Sequence, residues 1–209
     1  MEKRNWKHIV TLKQRMVLCL AAFFAAFALQ LALNGYQARA VQQVQDDQMG
    51  NFNAISRFQG GVESSISILE AYRWENGETE EMLEKLQAAC STSNAWLWRI
   101  RSNMDGLQNV SDEQWVLYGA VETTYGSYNT LLEELESYLS SGQEAKASQL
   151  YYNKVSVCGG YLSQYTMQLL KASILDAQTT YTEISELGER IALMQTVVVA
   201  LCVALGCAS

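Results

Sequence analysis

The chain contains no proline among its 209 residues. Proline marks turns, strand edges and helix ends, and its average usage would give about ten in a chain of this length. Its absence disfavours loop-rich β-sandwiches and β-barrels and favours long, uninterrupted helices. The sequence therefore predicts an all-α protein.

Two apolar stretches flank a more polar middle. Residues 16–33 carry no charge and have Gln30 as their one polar side chain, and residues 191–209 are also uncharged. Each stretch approaches the roughly 20 residues that a helix needs to cross a bilayer. We therefore expect transmembrane helices over 16–36 and 191–209. Residues 38–40 also resemble a cleavage site, so a secretory signal peptide is the alternative for the first stretch.

The charges predict an orientation for these spans. Residues 1–15 form a basic N-terminus with Glu2 as its acid and five cations, namely Lys3, Arg4, Lys7, Lys13 and Arg15. Such a segment is typical of the cytoplasmic side of a membrane. We expect a protein of the bacterial inner or plasma membrane, with residues 37–190 extracytoplasmic and output domains following residue 209. The chain has a net charge of −7, which disfavours a nucleic-acid partner.

Residues 37–190 show helical periodicity, with apolar side chains at spacings of three and four. Turn signals at 75–78 and 140–142 separate the segments, and Ser111 with Gln114 forms a capping-box pattern. Short turns between helices produce antiparallel neighbours. The sequence therefore predicts an up-down-up-down four-helix bundle, with a sensor domain over 37–190 between the two transmembrane helices.

Each predicted helix has a stripe of residues assigned to the core. In the first helix the stripe is Val41, Gln45, Gln48, Phe52, Ile55, Gln59, Val62, Ile66 and Leu69. In the third it is Trp115, Tyr118, Val121, Tyr125, Tyr128, Leu132, Leu135 and Leu139. In the last it is Leu170, Ile174, Ala177, Tyr181, Ile184, Leu187 and Ile191.

The chemistry of common active sites is missing from the sequence. Its one histidine is His8, ahead of the first apolar stretch, so residues 37–190 cannot form a Ser/His pair. The sequence has no phosphate-binding glycine motif and no spacing typical of metal ligands. We therefore expect no catalytic residues, no metal site and no cofactor in this chain, and we expect it not to be an enzyme itself.

Four cations are the candidates for a ligand site. Counting helical rise from the predicted membrane places Arg57, Arg99, Arg101 and Lys171 near one level, with Trp115 close by. Such a layer could hold a carboxylate ligand through forked hydrogen bonds. The alternative is that these cations are solvated and that the nearby aromatic residues belong to the core.

The cysteines fall into two groups. Cys90 and Cys158 lie in the predicted extracytoplasmic domain, where they are a candidate disulfide, with two unpaired thiols as the alternative. The other three are expected to pack as small apolar side chains. They are Cys19, Cys202 and Cys207.

This layout resembles the four-helix-bundle sensor regions of bacterial transmembrane receptors. The resemblance rests on residues 12–15 before the first apolar stretch, the long first helix, residues 142–147 entering the last helix, and residues 150–152 followed by Leu162, Leu169 and Leu170. It implies a sensory input module that forms a homodimer and relays binding of a small molecule or a protein by helix displacement. The favoured parent is a sensor histidine kinase of a two-component system. The alternatives are a methyl-accepting chemotaxis receptor or a structural, membrane-anchored helical scaffold.

Overall fold

A computed structural model describes residues 12–72, 79–107 and 110–207. Helices α1 (Leu12–Ala71), α2 (Thr79–Gly106) and α3 (Asp112–Ser140) are followed by a short helix α4 (Glu144–Leu150). A π-helical segment (Tyr151–Val155) then connects α4 to α5 (Ser156–Cys207). The all-α prediction is confirmed for this part of the chain. The turn signal predicted at 75–78 and the residue His8 lie outside it.

The predicted transmembrane helices are not supported. Within the described ranges, no helix has a stretch that is both long enough and apolar enough to cross a bilayer. The stretch predicted over 16–36 contains Gln30 and Asn34, and the stretch that begins at Ile191 contains Gln195. A span needs about 20 consecutive apolar residues. The prediction of spans over 16–36 and 191–209 is therefore wrong, and so is the predicted localisation in the cell membrane.

The ends of the helices follow local side-chain chemistry. The Ser111 hydroxyl accepts a hydrogen bond from the Gln114 backbone N–H at 3.3 Å, which caps α3 as predicted. Gly142 has a φ of 69° in the turn between α3 and α4, a conformation that glycine adopts without strain. The hydroxyls of Tyr72 and Thr79 hydrogen-bond at 2.7 Å, which ties the end of α1 to the start of α2.

The chain divides into two compact units. The bundle unit is Gln45–Thr180, and the terminal unit is Met1–Val44 together with Tyr181–Ser209. Both units contain parts of α1 and α5. The bundle unit lies within the domain predicted over 37–190.

Contacts in the bundle unit show that neighbouring helices are antiparallel. On α1, Gly61 lies against Ser93 of α2, while the earlier residue Gly50 lies closest to the later residue Asn103. Gln87 and Arg101 of α2 bond to Glu136 and Glu122 of α3 in the same reversed order. Helix α5 runs back along α3, because Cys158 bonds to Thr124 and Asp176 to Ser111.

The core of the bundle unit is built from large side chains that meet across the bundle. The rings of Phe58 in α1 and Tyr125 in α3 pack edge to face with centroids 5.3 Å apart. One turn further along α3, the Tyr128 hydroxyl lies 3.0 Å from the Ser65 hydroxyl of α1. Gly159 of α5 brings its backbone against Ile66 and Tyr128. These contacts join α1, α3 and α5 in one packed core.

The predicted core stripes are correct for α3 and wrong for α5. All predicted α3 residues from Tyr118 onward are buried. On α5 the predicted residues Ile174 and Tyr181 are exposed, and the buried positions include Thr166, Ser173 and Thr180. Small hydroxyl side chains thus share the buried face of α5 with Leu162, Leu169 and Ala172. Hydrophobicity alone places the core on the wrong face of this helix.

The terminal unit has no comparable core among its described side chains. None of them is buried, and large apolar residues such as Phe24 and Met194 remain 63 % and 72 % exposed. Gly188 of α5 lies against the Gln37 side chain of α1, since a Cβ added there would be 3.2 Å from Nε2. Two helices in contact leave most of their apolar surface uncovered.

Candidate functional site

An open cavity of about 450 Å³ lies between α2 and α3. Six of its lining residues come from α2 and recur at helical spacing, and five come from α3. They are Leu83, Leu86, Gln87, Cys90, Ser91, Asn94, Tyr125, Asn129, Leu132, Glu133 and Glu136. Both helices contribute apolar residues together with amides, and α3 adds the carboxylates. Such a mixture of an apolar body and a few polar groups is typical of small-molecule sites.

Two hydrogen bonds hold the walls of this cavity together. The Gln87 amide donates to Oε1 of Glu136 at 2.9 Å, and the Tyr125 hydroxyl donates to the Cys90 carbonyl at 2.8 Å. Burial raises the pKa of Tyr125 to about 12, so its hydroxyl stays protonated and available as a donor. The spacing of α2 and α3 is therefore set at the cavity itself.

The cavity contains a buried acceptor that lacks a donor. The side-chain Oδ1 of Asn129 is fully shielded and has no hydrogen-bond partner in the structure. Leaving a buried polar atom unbonded costs about 1–3 kcal/mol, so a donor that bonds this oxygen is favourable. This oxygen lies on the same wall as the Glu133 carboxylate. The wall therefore favours a ligand that donates hydrogen bonds.

The charge of the lining points to the same class of ligand. The lining residues include the carboxylates of Glu133 and Glu136, and no lysine or arginine is among them. Burial, and after it the nearby Glu136 carboxylate, raises the pKa of the Cys90 thiol to about 11. This thiol is therefore protonated near neutral pH and is a poor nucleophile. The cavity suits binding of a cation and does not present an activated cysteine.

A second groove of about 400 Å³ lies between α3 and α5. It is lined by apolar residues that include Leu117, Ile174 and Leu175, with Glu113 and Lys171 at its polar positions. Lys171, a member of the predicted cation layer, lines this groove. Both charged side chains are exposed, so water screens their interaction with a ligand.

The structure distributes the predicted ligand residues over different faces. Arg57 and Arg99 are exposed, and Arg101 lies 3.5 Å from Glu122 of α3 in an ion pair. Trp115 is half-buried, with its ring centroid 6.1 Å from that of Tyr118. Lys171 lies instead in the α3–α5 groove. Neither the α2–α3 cavity nor the α3–α5 groove contains all five residues, and carboxylate binding by them stays a prediction.

The two cysteines of the candidate disulfide are free thiols in the structure. Cys90 lines the α2–α3 cavity, whereas the Cys158 thiol bonds to the Thr124 carbonyl at 3.7 Å. Each thiol is partly buried in its own environment, as the alternative prediction described. Burial also raises the pKa of Cys158. The side chains of Cys202 and Cys207 lie outside the described part, as does that of Cys19.

The residues that define the cavity were not singled out from the sequence. Asn129, Glu133 and Glu136 recur on α3 at spacings of four and three, next to the predicted core stripe. A polar stripe beside a core stripe is ordinary on any helix, so it identifies no site. Among the described residues, no group of three or more His, Cys, Asp or Glu side chains could hold a metal ion.

Comparisons with protein-family models, curated proteins and solved structures find no match to this chain. The function is therefore argued from the geometry of the α2–α3 cavity.

Proposed function

We propose that this chain is the sensory input module of a signal-transduction protein and that it binds a small organic cation in the α2–α3 cavity. The observation that carries the proposal is a cavity lining with two carboxylates and no cation, in which Asn129 also has an unpartnered Oδ1. An ammonium group supplies both the hydrogen-bond donors and the charge that this wall lacks.

The apolar lining residues of the cavity define the rest of the ligand. Leu83, Leu86 and Leu132 line the cavity beside the polar groups. An alkyl or aryl group of the ligand would cover these leucines, and burial of apolar surface contributes about 25 cal/mol per Å². The proposed ligand is therefore an amphiphilic amine, with its ammonium at Asn129 and its apolar body against the leucines.

Tyr125 connects the α2–α3 cavity to helix α1. The Tyr125 hydroxyl bonds to the backbone of α2 at the cavity. The ring of the same residue packs against the ring of Phe58 in α1. A ligand that moves Tyr125 would also change the packing of Phe58. Packed cores have discrete arrangements, so a small shift can select one of two states. The ligand transmits a signal only if it binds one arrangement better than the other.

The resemblance found in the sequence supports the signalling role and two kinds of output. A sensor histidine kinase would couple the module to a helix with a phosphoacceptor histidine and an ATP-binding domain, and a chemotaxis receptor to a long coiled coil. The presence of either set of output domains in the full-length protein would distinguish the two. Either output is proposed to act as a homodimer, which analytical ultracentrifugation of the chain would test.

Calorimetric titration of the full chain with a charge-matched pair of compounds tests the proposed ligand class. Phenethylamine carries a cation on an apolar body, and 3-phenylpropionate carries an anion on a body of similar size. We expect the amine to bind and the carboxylate to bind at least about tenfold more weakly, a difference of about 1.4 kcal/mol. Tighter binding of the carboxylate would overturn the proposed ligand class and favour the cation layer predicted from the sequence.

Substitutions in the cavity identify the site of binding. Asn129→Ala and Glu136→Gln should each weaken the affinity for phenethylamine, because they remove an acceptor and a charge from the wall. Glu84→Gln makes the same charge change on the exposed side of α2 and should leave the affinity unchanged. Equal affinities for all four proteins would show that the amine binds elsewhere.

Chemical protection offers an independent measure of occupancy. Cys90 lines the cavity and Cys158 does not, so the two thiols of one chain serve as probe and reference. Phenethylamine should slow alkylation of Cys90 by iodoacetamide while leaving Cys158 unaffected, as quantified by peptide mass spectrometry. Equal slowing of both thiols would indicate a general change in stability and would count against binding in the cavity.

A further inference from the structure

A group of buried polar side chains in the bundle unit is separate from the cavity. Asn51 and Ser173 are 0 % exposed and Gln114 is 1 % exposed. Both amide atoms of Asn51, Oε1 of Gln114 and the Ser173 hydroxyl lack hydrogen-bond partners, as does Oε1 of Gln48 one turn away on α1. Four such residues in a helical core are unusual, because buried polar atoms are nearly always bonded.

The helix register places three of these residues at one level. Ser111, at the start of α3, bonds to Asp176 of α5. Because the two helices are antiparallel, one turn later on α3 and one turn earlier on α5 place Gln114 opposite Ser173. Ile66 of α1 packs against Gly159 of α5, and about four turns along the antiparallel pair reach Asn51 and Ser173. Helices α1, α3 and α5 therefore contribute to one polar layer, which consists of Asn51, Gln114 and Ser173.

The Ser173 hydroxyl differs from the other buried hydroxyls of its helix. Thr166 donates to the Leu162 carbonyl at 2.8 Å, and Thr180 donates to the Asp176 carbonyl at 3.0 Å. Serine and threonine in helices commonly bond to the carbonyl four residues earlier in this way. Ser173 makes no such bond. Its hydroxyl is therefore available to a group in the interior of the bundle.

The chemistry of the unbonded atoms shows what kind of group completes the layer. Together with Gln48, the layer offers three amide oxygens, one amide nitrogen and one hydroxyl. The two N–H hydrogens of Asn51 and the Ser173 O–H match the three amide oxygens in number, but none of these atoms has a hydrogen-bond partner in the structure. Water donates two hydrogens, accepts two, and typically makes about three bonds when it is buried in a protein.

We propose that Asn51, Gln114 and Ser173 form an internal water-binding site that links α1, α3 and α5. The bound water donates to the amide oxygens of Asn51 and Gln114 and exchanges a hydrogen bond with the Ser173 hydroxyl. Water-mediated bonds are nearly as favourable in enthalpy as direct ones. The polar layer is then a fully bonded part of the core.

A crystal structure of the full chain, at a resolution that places ordered water, tests this proposal. We expect a water within hydrogen-bonding distance of at least two of the three side chains. The control is Ser65, which is equally buried but bonds to the Val62 carbonyl and the Tyr128 hydroxyl, and it should contact no water. Direct bonds among Asn51, Gln114 and Ser173 with no water between them would overturn the proposal.

A solution measurement on the wild-type chain provides a second test that does not depend on crystals. Magnetisation transfer from water to the side-chain amide hydrogens of Asn51 should be detected by NMR, and the signal should disappear in Asn51→Leu. If that variant does not fold, Ser173→Ala serves in its place and should reduce the transfer to Asn51. No transfer in the wild-type chain would also overturn the proposal.

Discussion

The bundle unit and the terminal unit use similar apolar residues in opposite ways. Phe58 in the bundle unit is 0 % exposed, whereas Phe24 in the terminal unit is 63 % exposed. Both residues lie on α1, so the helix itself does not decide their burial. The difference is the number of neighbouring helices, since Phe58 faces α3 across a bundle. Apolar composition alone therefore does not make a core, and burial requires partners on several sides.

Among the substitutions, matched truncations of these two phenylalanines give the largest expected effect. Phe58→Ala removes a fully buried ring that packs on Tyr125 and should lower the free energy of unfolding by about 3–5 kcal/mol. Phe24→Ala removes a mostly exposed ring and should change it by less than about 0.5 kcal/mol. Urea unfolding followed by circular dichroism measures both. Similar losses of unfolding free energy in the two variants would contradict the difference in burial between the units.

Adjacent glycines on α1 sharpen the comparison within the bundle unit. A Cβ at Gly61 would collide with the Ser93 hydroxyl of α2, whereas a Cβ at Gly60 would meet nothing within 4 Å. Gly61→Ala should destabilise the protein by about 1–3 kcal/mol because the core is overpacked. Gly60→Ala should stabilise it by about 0.5–1 kcal/mol through the higher helix propensity of alanine. Thermal melts of the two variants should therefore shift in opposite directions.

The smallest expected effect on stability comes from the titration of Cys90. The pH at which this thiol ionises depends on how deeply it is buried. Its pKa of about 11 lies above the ordinary cysteine value near 8.5, so the folded protein holds a proton that the unfolded chain releases. The stability from this difference is complete below about pH 8.5 and is lost as the pH rises toward 11. Alkylation of Cys90 should show a midpoint near pH 11, and Glu136→Gln should lower that midpoint. A midpoint near 8.5 would mean that the thiol is solvated.

Tyr118 and Tyr125 extend the loss of stability at high pH. Burial raises the pKa of each to about 12 from an ordinary value near 10. Their contribution is likewise lost with rising pH, at the upper end of the same range. Alkylation rates are specific to thiols and therefore separate Cys90 from the tyrosines.

The sequence predicted the helices well because their signals are local. The missing prolines, the Ser111 cap and the apolar stripe on α3 each depend on a few neighbouring residues. The predicted stripe on α5 was wrong because Thr166, Ser173 and Thr180 are small enough for close helix contact, and a hydrophobic pattern gives them no weight. Gln114 was predicted from the capping pattern, but its side chain is buried in the polar layer.

The candidate site could not be predicted in the same way. The α2–α3 cavity depends on the distance between two helices, which the Gln87–Glu136 and Tyr125–Cys90 bonds set. These pairs lie far apart in the chain, and nothing local joins them. The layer of cations expected from counted helical rise places its members on different faces of the helices, and carboxylate binding by them stays a prediction. Height along a bundle does not fix which side of a helix a residue faces.

The π-helical segment Tyr151–Val155 has a consequence for how the last part of the chain tolerates change. A π-turn contains one residue more than an α-turn, so it absorbs an extra residue without rotating the helix that follows. Removal of Asn153 should convert the segment to regular α-helix and leave Leu162 and Leu169 facing inward, with little change in melting temperature. Removal of Gln164, inside regular helix, should turn every later residue away from its neighbours and unfold the protein. The length of the chain is therefore adjustable at one place on this helix and fixed at others.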